Sequence, residues 1–191
     1  MKKKYVWFLP LFIASCIITG KNSDLLDPVN AGLNLRDPGN GTIIDTVTKL
    51  VWKRCSQGQS DDAACSLTAA TFQYCTSDDN ACNGGVDTAT LESGPAFDSC
   101  NALNSNPSGG YAGYTTWRVP TYDELWTIHV NARETSEAGL NNLFPNLDKA
   151  VYYLSATSAS YNEYRQVLYK PPVANHTATK TTPSALRCVA Q

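Results

Sequence analysis

The chain has 191 residues, 42% of them hydrophobic, with 15 Lys and Arg against 17 Asp and Glu and a formal charge of −2. That length fits one domain large enough to bury its own core, and the acidic balance excludes nucleic acid as a general partner. No P-loop, dinucleotide fingerprint, G-x-S-x-G or H-E-x-x-H run occurs, so we expect no enzyme, no cofactor and no metal site.

The first element is a targeting segment. Lys2, Lys3 and Lys4 precede an apolar run from Tyr5 to Ala14, which is too short to span a bilayer as a helix and reads as a signal peptide over residues 1–15. Its end, Ile13-Ala14-Ser15-Cys16, resembles the lipobox of bacterial lipoproteins. Cys16 is then the expected lipidated N-terminus, with the bilayer as partner through its acyl chains. Ile17, in place of Asp, favours sorting to the outer membrane. Cleavage removes three lysines and leaves acids in excess by five. Residues 16–35 carry Gly, Asn, Asp and Pro without periodicity and read as a tether to a domain over residues 36–191.

In "RDPGNGTIIDTVTKLVWKRC" a Pro-Gly-Asn-Gly turn signal precedes two β-rich runs, Thr42 to Ile44 and Leu50 to Lys53, around a polar centre: a β-hairpin. Residues 55–95 form a Cys-rich acidic insertion without Lys or Arg. Its "SDDNACNGGVD" alternates Asp and Asn like a calcium loop, but Cys82 takes the fifth loop position and Ala89 replaces the bidentate Glu. We read it as a solvated acidic loop. Beyond Cys16 the cysteines number six: Cys55, Cys65, Cys75, Cys82, Cys100 and Cys188. An even set in an exported chain indicates disulfides, whose pairing the spacing leaves open. There is no C-x-x-C, and both histidines lie far from the cluster, which weakens a zinc reading.

Pro95 opens a helix with Ala96, Phe97, Cys100 and Leu103 along one face. "TTWRVP" reads as a short strand with Trp117 and Val119 on one side and Arg118 on the other. Thr121-x-x-Glu124 is a capping box for a second helix bearing Leu125, Ile128 and His129, with His129 at its surface or boundary. Arg118 is expected in a structural ion pair rather than in a ligand contact. Three strand segments follow, "VYYLSATSA", "EYRQVLYK" and "ALRCVA", while His176 falls in a loop between them. The order of elements is that of an α+β domain.

Charge is segregated along the chain. Residues 55–100 hold seven acids and no base, whereas residues 149–191 hold five bases against Glu163. Lys149, Tyr153, Tyr164, Arg165, Tyr169, Lys170 and Lys180 interleave cations with aromatic rings, a composition suited to an anionic glycan. The competing reading puts the tyrosines in the core and the lysines on outer strand faces.

"GNGTIIDTVTKLVWKRC", "AFDSCNAL", "GYTTWRVPTYDEL" and "LRCVA" resemble, in order, the signature blocks of the Lcl C-terminal domain family, with Trp52, Trp117, Arg118, Pro120, Thr121 and Glu124 carrying the fold signature. The resemblance covers about residues 36–191. It implies a C-type-lectin-like domain with two helices and a mainly antiparallel sheet, related to the sulfatase-modifying fold. It also implies a Cys100–Cys188 bond between first helix and last strand, and with it Cys55–Cys65 and Cys75–Cys82. A family relative, a collagen-like adhesin, binds sulfated polysaccharide. The Glu/Gln-Pro-Asn/Asp and Trp-Asn-Asp motifs of calcium-dependent lectins are missing here, as are the reactive late cysteines of the sulfatase-modifying enzymes. The expected function is an envelope- or surface-anchored lipoprotein with a lectin-like adhesion domain for glycans or host matrix components. The alternative is a structural envelope lipoprotein acting through protein partners.

Overall fold

A computed structural model describes residues 34–76, 94–133, 137–147, 151–169 and 174–191, with the backbone alone for 131–133 and 137–138. The signal peptide, Cys16, Ile17, the tether up to residue 33, the calcium-like loop, Cys82, Lys149 and Lys170 lie outside the described residues.

The expected hairpin forms from β2 (Thr42–Asp45) and β3 (Val51–Lys53), antiparallel with Ile43 opposite Trp52. Its turn is built by Asp45, whose carboxylate accepts the N–H groups of Val47 and Thr48 at 2.9 and 3.1 Å, as a short polar side chain does where the backbone must reverse. β1 (Leu35–Arg36) flanks β2, and the last strand, β9 (Val189–Ala190), flanks β3, so the sheet order is β1-β2-β3-β9. A second sheet runs β4-β8-β5-β6-β7, from β4 (Thr71–Phe72), β5 (Tyr152–Ser158), β6 (Glu163–Leu168), β7 (Ala174–Thr179) and β8 (Ser184–Ala185). All its pairings are antiparallel except β5 with β8.

Among the described residues three helices accompany the sheets: α1 (Pro95–Asn101), continued by a 3₁₀ turn over Ala102–Ser105, α2 (Tyr122–Arg133) and α3 (Glu137–Leu143). The fold is α+β, as expected, with one helix more than the two anticipated. Leu140, Leu143, Phe144 and Leu147 keep helical i, i+3, i+4, i+7 spacing, but Gly139 and two asparagines obscure the signal in a short segment. Among the described residues no helix is long and apolar enough to cross a membrane.

Successive residues of β3 and β5 point to opposite sides, and both sides are buried. Trp52 and Tyr153 face a core that also takes Leu125 and Ile128 of α2 and Leu140, Leu143 and Phe144 at α3. Val51 and Leu154 face a second core with Ala96, Phe97 and Cys100 of α1, Trp117, Val119 and Tyr164. Cys100 and Cys188 are bonded with Cα atoms 5.6 Å apart, and Cys55 and Cys65 with Cα atoms 5.2 Å apart. Cys75 is also disulfide-bonded.

Three sequence expectations change. "TTWRVP" does not form an extended strand: Arg118 makes a single antiparallel bridge with Val189, through N–H···O bonds of 2.8 and 3.0 Å, because Pro120 ends the pairing. "ALRCVA" is not one strand. It divides between β8 and β9, so Leu186, Arg187 and Cys188 carry the chain from one sheet to the other. The segment around His176 is not a loop but β7, whose Ala, Asn, His and Thr residues lack the apolar alternation that announces a strand.

Candidate functional site

The signature stretch is assembled as scaffold. Trp117 is buried; its indole N–H donates to Tyr111 O at 3.0 Å, and its backbone N–H donates to Asn104 Oδ1 at 2.6 Å. Gly110 makes this corner possible: its φ is +85°, and a Cβ there would stand 1.9 Å from Tyr114 O. The carbonyl of Pro120 accepts the N–H of Ala156 at 2.7 Å and ties the corner to β5. Thr121 N–H donates to Glu124 Oε2 at 2.8 Å, and Glu124 N–H to Thr121 Oγ1 at 3.2 Å, a closed capping box. Arg118 grips the same carboxylate with both terminal guanidinium nitrogens, Nη1 and Nη2, at 2.8 and 2.6 Å. Burial alone would raise the Glu124 carboxyl, but the Arg118 and Thr121 bonds outweigh it and hold it below its ordinary value.

The ligand set expected from charge and aromatic content is largely interior. Tyr153, Tyr164, Tyr169 and Lys180 are buried, so these four are not a ligand surface. The tyrosine rings are needed where the chain packs. Tyr169 donates its hydroxyl to Leu125 O at 2.8 Å, Tyr164 meets Ser184 Oγ at 2.6 Å, and Tyr153 meets Ser56 Oγ at 3.0 Å. The Lys180 amine lies 5.5 Å from the Tyr74 ring centroid. His129 is likewise buried, not on the surface, with its ring edge-on to Trp126 at 4.6 Å. Arg187, counted among the five bases of the last segment, is also fully buried. It donates to the carbonyls of Lys53 and Arg54 and to Ser56 Oγ, and lies over the Phe144 ring at 4.6 Å.

Arg165 is the member of the set that the described surface displays. It sits on β6 at the wall of a cleft of about 520 Å³ between the start of α2 and the β6–β7 hairpin, lined by Tyr122, Ala159, Glu163, Arg165, Asn175, His176 and Thr177. Cross-strand register explains this grouping, since Arg165 lies opposite Thr177 and Glu163 opposite Thr179. Residues two apart on a strand share a face, which puts Glu163 and Arg165 on one face of β6 with Asn175 and Thr177 beside them. His176 belongs to the opposite face: its Nδ1 is 2.9 Å from Gln166 Nε2 and its ring 5.0 Å from that of Tyr152.

The guanidinium of Arg165 lies over the Tyr122 ring at 5.3 Å, and Trp126 stacks behind that ring at 5.8 Å. Tyr122 is fixed in turn by its backbone N–H, which donates to Thr157 Oγ1 at 2.9 Å. Among the described residues Arg165 makes no salt bridge. Among the described residues the carboxylate of Glu163 accepts only long bonds, from Ser160 Oγ and Thr177 Oγ1 at 3.4 Å each. The cleft thus presents guanidinium donors, a carboxylate acceptor, an amide and a hydroxyl, with the buried Tyr122 ring beneath Arg165. Sequence reasoning named Arg165 but missed Tyr122, Glu163, Asn175 and Thr177. They come from three elements, and no spacing in the chain connects them.

No curated protein matches this chain. The sequence model of the Lcl C-terminal domain matches residues 41–190, which hold both sheets apart from β1, all three helices and the cleft. The chain therefore belongs to the Lcl C-terminal domain family.

Proposed function

We propose that this protein is an envelope lipoprotein anchored at Cys16, and that its domain binds a glycan in the cleft between α2 and β7. The observation that supports the reading is the exposed guanidinium of Arg165, without a salt bridge among the described residues, held over Tyr122 beside the lightly engaged carboxylate of Glu163. Sugars are recognised in part by charge-assisted hydrogen bonds to their hydroxyls, and this wall offers the donors and acceptors for them. The role is binding and adhesion rather than catalysis, at the outer membrane and without calcium.

The burial of Lys180 and Arg187 removes two cations from the broad polyanion-binding face that composition had suggested. Among the described residues the cation left at the cleft is Arg165, and a contact carried by one charge is expected to weaken only mildly with salt. The test is a glycan and matrix-protein array probed with the full chain in detergent, in the presence of EDTA. We expect retention on a subset of glycans that Arg165→Ala abolishes. Retention on matrix proteins alone, untouched by Arg165→Ala, would instead establish a partner-protein role.

A further inference from the structure

Resting on the glycan reading, we propose that the cleft is selective for a sugar acid: a uronic-acid residue whose carboxylate meets Arg165 and whose ring hydroxyls meet Glu163, Asn175 and Thr177. Arg165 and Glu163 sit on one face of β6, about 7 Å apart at Cα, yet no salt bridge joins them. Two opposite charges left unpaired at neighbouring positions define what a ligand must carry. It needs an anionic acceptor at one end and hydrogen-bond donors at the other.

The Arg165 guanidinium carbon lies over Tyr122, 5.3 Å from the ring centroid, and the exposed side chain leaves its N–H groups to a ligand. That planar fork matches the two coplanar oxygens of a carboxylate. Glu163 is an acceptor when ionised and suits hydroxyl donors on adjacent ring carbons, whereas Asn175 and Thr177 both donate and accept. The charges of Arg165 and Glu163 cancel. A chain of closely spaced sulfates gains at Arg165 but is repelled at Glu163, while a single carboxylate among hydroxyls meets complementary groups throughout. A cleft of about 520 Å³ is of the size that holds small ligands.

The experiment is titration of the full chain in detergent with glucuronate, galacturonate and mannuronate, each against its parent hexose, and with heparin. Each uronate differs from its parent hexose only in the carboxylate. We expect at least one uronate to bind tenfold or more tighter than its parent, and Arg165→Gln to bring that pair to parity. Glu163→Gln is expected to weaken uronate and hexose together and to improve heparin binding. Hexoses that bind as tightly as their uronates in every pair overturn the carboxylate subsite and leave glycan binding standing. So does heparin binding above every uronate with no response to Glu163→Gln. If no sugar binds, the glycan reading itself fails. Both substitutions change side chains that are not buried, and thermal unfolding of each variant checks that the fold is retained.

Discussion

Glu124 ends three hydrogen bonds with one carboxylate: two from Arg118 and one from the backbone of Thr121. Its side chain is 20% exposed and that of Arg118 40% exposed, so solvent screens part of the pair. We expect Glu124→Gln to cost about 1–2 kcal/mol at neutral pH. The pH dependence follows from the depressed carboxyl. An unfolded Glu titrates near pH 4.3, so the unfolded chain takes up the proton first as pH falls. The stabilisation is whole above that value and is lost as pH drops through the lower, folded one. Urea denaturation from pH 7 to pH 3 should show the gap between wild type and Glu124→Gln closing toward acid. A constant gap would mean that the carboxylate's charge contributes nothing. Thr121→Ala removes the reciprocal half of the box and should cost about 1 kcal/mol, which Thr121→Ser largely restores. The capping box was legible in the sequence because its rule is local: T-x-x-E places both partners within one turn. The second partner of Glu124 was not, because Arg118 precedes the helix and only the Pro120 corner turns it back.

The same contrast holds for whole elements. The hairpin of β2 and β3 and the helices α1 and α2 follow from local turn chemistry and apolar spacing. β7 escaped because an edge strand of Ala, Asn, His and Thr is defined by its neighbour β6, not by its own composition. The division of "ALRCVA" between two sheets depends on Arg187, a fully buried cation that bonds to the chain at residues 53, 54 and 56. Lys53 is buried close by. Burial pushes its amine below the ordinary value, and Asp61 offsets part of that shift. An acid of the Cys-rich insertion therefore compensates a cation of the first sheet, which a count of charges along the chain does not reveal. Cys100–Cys188 closes a separation of 88 residues and staples α1 to the segment entering β9. In the chain-entropy view that closure contributes about 4–5 kcal/mol. The double variant Cys100→Ala/Cys188→Ala should lower the urea midpoint far more than Cys55→Ala/Cys65→Ala, whose separation is 10 residues. Equal shifts would show that loop length does not govern these bonds.

For the whole molecule, the two cores share the strands that separate them, so α1 on one side and α2 with α3 on the other enclose β3 and β5. This arrangement consumes most of the aromatic residues, and the cleft beside β6 and β7 is a place where charge, amide and hydroxyl meet solvent. The proposed binding role needs an address, and the proposed one lies at Cys16. Each acyl methylene buried in a bilayer contributes about 0.8 kcal/mol, so several chains on Cys16 would hold the domain firmly. We expect the full chain to partition into the detergent phase on Triton X-114 separation and Cys16→Ser to move to the aqueous phase. A wild-type chain found in the aqueous phase would remove the anchor from the proposal.

Composition, spacing and the signature blocks by themselves determined the family, the α+β class, the first hairpin, the start of α1 and the cap of α2. These rest on contacts within a few residues, or on motifs read as strings. Tertiary structure alone decided which tyrosines are core, that Lys180 and Arg187 are interior, and that Arg165 shares a cleft with Tyr122, Glu163, Asn175 and Thr177. The physical reason is the same in each case. An aromatic ring or a cation between two sheets is chosen by what packs on both of its sides, and those neighbours come from distant parts of the chain.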